Sequence, residues 1–209
     1  MDAICIDMDN TIIDSDKTHI IAYQKAFKKN RLEVFSSKEI KKYFGLSSYN
    51  IVKNLFPKLN YFEIQKILTD NYNYFLKSKH KLKAFNGVKK TLLILKRKYI
   101  LILISNCTRK EIVISLKEIK LNNKIFTLLV GSDDVKKPKP YPDEINFAKN
   151  KLKCNVKYLI GDSIYDIMAG RKAKVKTIGV LTGNHTKEEL RKAKSDFIID
   201  NFSEVLEIV

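Results

Sequence analysis

Asp7 and Asp9 are separated by a single residue and close a short apolar run that begins at Ala3. In an extended segment, side chains two apart point to the same side, so the two carboxylates face one space. Ser105-Asn106 closes a second apolar run, Ile100–Ile104, and Gly161-Asp162-Ser163 closes a third, Tyr158–Ile160. Asp166 follows Asp162 at a spacing of four, which places both on one face if a helix begins there. Carboxylates gathered at close range penalise one another unless a cation sits among them. Hard oxygen donors of this kind suit Mg²⁺, which takes one or two carboxylates, keeps several waters and accepts substrate phosphate oxygens. A carboxylate can also act as a covalent nucleophile. Neither a G-x-x-x-x-G-K-[ST] loop nor a G-x-G-x-x-G turn occurs, which leaves a nucleotide P-loop or a dinucleotide fold unsupported.

Taken singly these residues also have plainer readings. Asp9-Asn10-Thr11 fits a turn or a cap, and Gly161-Asp162-Ser163 fits the start of a helix after a strand. Cys107 reads as a bystander for want of a base partner in sequence. His19 reads as a satisfied helix residue, or as one that touches a ligand near a hinge.

The elements that would position these groups can be read from texture. Ala3–Ile6, Ile100–Ile104, Thr127–Val130, Tyr158–Ile160, Thr177–Val180 and Phe197–Ile199 are continuous apolar runs rich in β-branched residues. Amphipathic stretches near 108–120, 142–152, 164–173 and 186–194 separate the later runs. Buried strands alternating with helices imply an α/β fold, a doubly wound Rossmann-like parallel sheet covered on both faces. Ligands of such sheets bind beyond the carboxyl ends of the strands, where the polar groups above would converge.

Residues 15–84 differ and read as a small all-helical insertion without a convincing strand. Ile20, Tyr23 and Phe27 share a helical face, as do Ile64, Ile67, Leu68, Tyr72 and Phe75. Ser36 with Glu39 is a capping-box signal for a helix that should stop near Gly45, and Asn60 with Glu63 marks another start. The expected division is 1–14 with 85–209 as an α/β core and 15–84 as a helical cap, hinged near Asp14-Ser15 and Ala84-Phe85.

A chain of 209 residues with 44% hydrophobic residues and only 7 Gly and 4 Pro can build a core, which excludes a disordered or low-complexity protein. The net charge of +17 raises nucleic acid as a partner, yet the cations are 35 Lys and 5 Arg. Arg is the better residue for phosphate forks, so a lysine-coated surface explains the balance more simply. Between Asp70 and Glu111 there is no acidic residue against 11 basic ones, a solvated face or an anion-attracting rim. Cys5, Cys107 and Cys154, like His19, His80 and His185, are scattered and form neither a disulfide framework nor a zinc site. The first residues show no signal peptide, and the longest apolar stretch, Leu92–Ile104, is broken by Lys96-Arg97-Lys98. A reduced, cytoplasmic protein, monomer or homodimer, with no membrane partner is expected.

Four ordered segments resemble the haloacid dehalogenase-like phosphatases: Asp7-Met8-Asp9-Asn10-Thr11, Ser105-Asn106, Lys137-Pro138-Lys139-Pro140 and Gly161-Asp162-Ser163-Ile164-Tyr165-Asp166. The likeness extends over essentially the whole chain and is similar to the subclass with a small helical cap after the first motif, that of phosphoglycolate phosphatases. It implies a Mg²⁺-dependent phosphatase that hydrolyses a small phosphorylated metabolite through an aspartyl-phosphate intermediate: a phosphoglycolate-like ester, a sugar phosphate or a nucleotide. By the same resemblance Asp7 is the nucleophile, and Asp9 is the general acid and base, with its carbonyl on the metal. Ser105 and Asn106 hold a phosphoryl oxygen, Lys137 neutralises the phosphate and the nucleophile, Asp162 ligates Mg²⁺ and Asp166 supports it. Ser47 and Ser48, in the turn after Gly45, and His19 are the candidate specificity residues of the cap. The chain departs from the pattern at Asn10, Asn86 and Lys174, where glycine or proline is usual. The rival readings are a sugar phosphomutase of the same family, which also carries a histidine where His19 stands, and a basic nucleic-acid-binding module. Gly161, which stands where such mutases carry an acidic residue, and the absence of their arginine from the cap turn count against the mutase.

Overall fold

The computed structural model describes residues 1–209. Six parallel strands, in spatial order β5-β4-β1-β6-β7-β8, form the main sheet: β1 (Ala3–Asp7), β4 (Ile100–Ser105), β5 (Leu128–Gly131), β6 (Val156–Gly161), β7 (Lys176–Val180) and β8 (Phe197–Ile199). The strand order reverses its direction of travel between β1 and β6, and in doubly wound sheets the crevice at that reversal is where ligands bind.

Period-two alternation assigns each strand residue to a face. Ile4, Ile6, Leu101, Leu103, Tyr158 and Ile160 pack on one side with Val88, Leu92 and Leu95 of α5 (Val88–Leu95) and Ile112 and Leu116 of α6 (Arg109–Glu118). Ala3, Cys5, Ile102, Ile104 and Leu159 face the other side, against Ile145 and Ala148 of α7 (Asp143–Leu152) and Ala169 of α8 (Ile164–Lys172). The continuous apolar runs are therefore strands buried on both faces. The expected helices 108–120, 142–152, 164–173 and 186–194 correspond to α6, α7, α8 and α9 (Lys187–Lys192), each within two residues at either end.

The segment after β1 leaves the sheet through β2 (Ile13–Asp14) and returns through β3 (Lys83–Ala84), two short strands paired antiparallel. Sequence texture missed this pair, because two-residue strands leave no periodicity to read. Between them lie α1 (Asp16–Lys29), α2 (Ser37–Lys41), α3 (Ser48–Leu55) and α4 (Tyr61–Ser78). Both expected capping boxes form, Ser36 with Glu39 and Asn60 with Glu63. The second helix ends at Lys41, earlier than Gly45, and a turn fills the gap. Ile20, Tyr23, Phe27, Ile40, Val52, Ile64 and Ile67 make an apolar core for these helices that is distinct from the two sheet-face cores. Ala22, Phe75 and Leu82 instead join the core above the sheet and tie the insertion to it.

Candidate active site

Asp7 is the last residue of β1, and the chain then turns tightly, with the Met8 carbonyl accepting from the Ile12 and Ile13 amides. The turn places Asn10 at φ +57, a left-handed conformation that asparagine tolerates better than most residues. This accounts for asparagine at a position where glycine is usual. The Asn10 carbonyl accepts from the Thr182 hydroxyl at 2.5 Å, and its amide donates to Asp16 at 2.7 Å, so the turn is pinned on both sides.

Lys139 crosses the gap at the sheet end. Its ammonium donates to Asp7 Oδ1 at 2.5 Å and to Asp166 Oδ1 at 2.8 Å, with 2% of the residue exposed. Burial alone would push the ammonium down, but Asp166 and Asp7 override it and hold Lys139 well above the usual lysine value. Burial pushes Asp7 up to about 8 even though Lys139 pulls it back. Burial and the neighbouring Asp7 and Asp166 raise Asp162 well above the carboxylate range. The Thr11 hydroxyl lies 3.0 Å from Asp7 Oδ2 and 3.3 Å from Asp162 Oδ1, linking the two strand ends.

The role expected of Lys137 is corrected by this geometry. Lys137 is exposed, with its ammonium 5.2 Å from the centre of the Tyr141 ring, while Lys139, two residues on, reaches Asp7. Spacing could not separate two lysines flanking one proline. What separates them is the approach of α7: Glu144, completely buried, accepts from the Lys139 amide at 3.2 Å and holds that residue inward.

Asp9 occupies the opposite wall. Its Oδ1 lies 3.2 Å from His19 Nε2, and its Oδ2 lies 3.2 Å from Cys107 Sγ and 3.4 Å from the Ser105 hydroxyl. Burial would raise Asp9, but the hydrogen bond and charge of His19 hold it below the usual value; Asp9 in turn raises His19 against the effect of burial. His19 stacks on Phe75, with ring centroids 5.4 Å apart. Cys107 is therefore a neighbour of Asp9, but burial and the Asp9 charge push its thiol well above the usual value, which makes it a poor nucleophile.

Asp166 is engaged on both oxygens. Oδ2 accepts from the Ser163 hydroxyl at 2.5 Å and its amide at 3.1 Å, while Oδ1 accepts from Lys139. Asp7, Asp162 and Asp166 nevertheless bring carboxylate oxygens within 4.8 Å of one another. These are hard oxygen donors, two of them raised by crowding and burial, so the donor set fits Mg²⁺. Asp162, whose carboxylate meets only the Thr11 hydroxyl, would hold it together with Asp7, while Asp166 is tied to Ser163 and shares Lys139 with Asp7.

The helical insertion closes over this cluster. The Asn106 amide donates to the Gly45 carbonyl at 2.6 Å and to the Lys139 carbonyl at 2.9 Å, joining the turn after α2 to the sheet end. Asp7, Asp9, Ser105, Asn106, Lys139 and Asp162 line a cavity of about 60 Å³ together with His19, Tyr23, Phe44, Leu46 and Ser48. Ser48 therefore faces the site, but Ser47 does not. Its hydroxyl accepts from the Asn50 amide at 3.4 Å and caps α3, and it lines a neighbouring cavity instead.

Comparison with known proteins adds to this picture. The sequence pattern of the haloacid dehalogenase-like hydrolases matches residues 4–180. A protein of Bacillus pumilus named pyrophosphatase PpaX is 28% identical over 214 residues, covering 100% of this chain and 96% of that protein. A predicted phosphoglycolate phosphatase of Haemophilus somnus has a structure that superposes with a TM-score of 0.88 at 22% identity, over 100% of this chain and 97% of that one. A hydrolase of Pseudomonas syringae superposes with a TM-score of 0.89 at 23% identity, over 100% and 97% of the two chains. The matched span contains the ends of β1, β4 and β6 that carry Asp7, Ser105 and Asp162, and the chain belongs to the haloacid dehalogenase-like hydrolase family.

Proposed function

We propose that the protein is a Mg²⁺-dependent phosphatase for a small phosphate monoester, working through Asp7. The observation that carries the reading is the buried placement of Lys139 between Asp7 and Asp166, with Asp9 across the same cavity. A bound Mg²⁺ would neutralise the carboxylates and the phosphoryl oxygens. An Asp7 oxygen attacks phosphorus as the bond from phosphorus to the ester oxygen breaks, forming an aspartyl phosphate. The pair of Asp9 and His19 carries a proton that can pass to the departing oxygen. Asp9 then takes a proton from water, whose oxygen attacks the same phosphorus and releases Asp7 and phosphate. The Ser105 hydroxyl and the backbone beside Asn106 bind a phosphoryl oxygen, and Lys139 offsets the charge that builds on Asp7 and the phosphoryl group. Residues 15–84 act as the lid, and the turn at Gly45 and Ser48 of α3 bring it onto the sheet end. No helix is long and apolar enough to cross a membrane.

The contact of His19 with Asp9 favours a second reading, transfer of the phosphoryl group within a sugar phosphate. Gly161 weighs against it, because a Cβ there would stand 2.3 Å from the Asp166 carboxyl carbon. An acidic side chain at that position has no room while Asp166 holds Lys139. Phosphate release from p-nitrophenyl phosphate and from a panel of phosphate esters tests the reading. Release should need Mg²⁺ and stop with EDTA, whereas equal release from metal-stripped protein would contradict it.

A further inference from the structure

Asp9 and His19 have a part in the chemistry above, but their neighbour Cys107 has none. Cys107 lies just after β4, Asp9 in the turn after β1, and His19 on α1, the first helix of the insertion. Their separation in the sequence leaves no spacing to read, and the fold brings them together. An Asp9 oxygen, a His19 ring nitrogen and the Cys107 sulfur lie within 4.8 Å of one another. Asp9 stands in the middle, with Oδ1 3.2 Å from Nε2 and Oδ2 3.2 Å from Sγ. All three residues are partly exposed and line the first cavity, so an ion entering from solvent can reach them.

This donor set shares no residue with the cluster of Asp7, Asp162 and Asp166. That cluster is all oxygen and suits Mg²⁺. One imidazole, one sulfur and one carboxylate suit Zn²⁺ instead, with bonds of roughly 2.0–2.1, 2.3 and 2.0–2.2 Å. Tetrahedral angles at those lengths set neighbouring ligand atoms roughly 3.3–3.7 Å apart. The two separations of 3.2 Å are already close to this. The His19 ring is held in place by stacking on Phe75, which is 1% exposed, so little reordering is needed. The Asp9 charge that keeps the Cys107 thiol protonated is one that a divalent ion offsets, and the ion would replace the proton between Sγ and Oδ2. Three protein ligands leave a fourth position for water from the cavity.

We propose that Asp9, His19 and Cys107 form a second metal site, selective for Zn²⁺, and that an ion held there inhibits the enzyme. With its carboxylate on zinc, Asp9 can neither give a proton to the departing oxygen nor take one from water. The ion also ties α1 of the insertion to two strand ends and so holds the lid in place. Only the inhibition rests on the phosphatase reading, because binding is read without catalysis. Co²⁺, a spectroscopic stand-in for Zn²⁺, is added to metal-stripped protein while thiolate-to-cobalt absorption is followed in the near ultraviolet. The native protein should show this band, Zn²⁺ should abolish it, and a large excess of Mg²⁺ should not. Cys107→Ser should lose the band, Cys154→Ser should keep it, and His19→Gln should weaken Co²⁺ binding about tenfold or more. With Mg²⁺ saturating, Zn²⁺ should inhibit hydrolysis of p-nitrophenyl phosphate. Cys107→Ser, or Cys107→Ala should the first not fold, should raise the half-inhibiting Zn²⁺ concentration about tenfold or more. A native protein without the band, or a band that survives in the folded Cys107 variant, would overturn the site. Zn²⁺ inhibition undiminished in that variant would overturn the inhibitory role, since zinc would then be acting at Asp7 and Asp162. Failure of the native protein to hydrolyse the aryl ester would overturn the phosphatase reading and the inhibition with it, and the cobalt band would still decide the site.

Discussion

Lys139 and Lys137 share one short proline-rich segment, yet only Lys139 reaches the carboxylate cluster. Lys137→Ala should keep kcat/KM within about twofold, as surface substitutions away from a site usually do. Lys139→Met should lower kcat by roughly a thousandfold through lost electrostatic stabilisation. It should also cost about 3–5 kcal/mol of stability, because Asp7 and Asp166 would be left buried without their cation. Steady-state kinetics and thermal melts of the two variants decide the point. Glu144 offers an independent check. Burial pushes its carboxyl up to about 7 from an ordinary 4.5, and its Oε1 has no partner. A raised carboxyl favours the folded state fully below pH 4.5, and that contribution fades as pH rises through about 7. Glu144→Gln should therefore narrow the fall in Tm between pH 5 and pH 8, an effect worth about 3 kcal/mol at most. It should not abolish the fall, since Asp7, raised to about 8, titrates with the same sign. A fall as large as in the native protein would contradict this.

The elements were more legible than the contacts between them. Apolar runs ending in Asp7, Ser105 and Gly161 announced strands because parallel strands buried on both faces need no polar alternation. Capping boxes at Ser36 and Asn60 announced two helix starts because the signal is local. The approach of the turn after α2 to the sheet end was expected only through the family resemblance that singled out Ser47 and Ser48, since nothing in Gly45-Leu46-Ser47-Ser48 itself specifies a partner. There Gly45 holds φ +94, and a Cβ on it would stand 2.8 Å from the Tyr165 ring and 2.9 Å from Ser163 Cβ. If the insertion is a lid that must seat here, Gly45→Ala should lower kcat/KM about tenfold or more by holding the lid off the site. The backbone strain should cost only about 1–3 kcal/mol, leaving a folded protein. A loss of stability with full retention of activity would place Gly45 in the scaffold and not in the closure.

Across the whole molecule, a strongly basic surface surrounds a cluster of carboxylates. Of the 11 basic residues between Asp70 and Glu111, four meet a carboxylate or an aromatic ring: Lys79 pairs with Glu118 at 3.3 Å, Arg109 pairs with Asp134 at 3.1 Å, and Lys77 and Lys110 lie over tyrosine rings. The net charge of +17 still draws anionic esters toward the molecule. Mg²⁺ binding to the folded chain alone should raise Tm, by about 2.7 kcal/mol of stabilisation at a hundred times its Kd. That rise should be lost in Asp162→Asn if Asp7 and Asp162 hold the ion. The central claim, that Asp7 is the nucleophile of a phosphatase, is tested most directly by phosphate release from p-nitrophenyl phosphate by the native protein and by Asp7→Asn. The account predicts Mg²⁺-dependent release by the native protein, and a loss of several orders of magnitude in a variant that remains folded by circular dichroism. Retention of more than about a few per cent of the native rate by folded Asp7→Asn would contradict it.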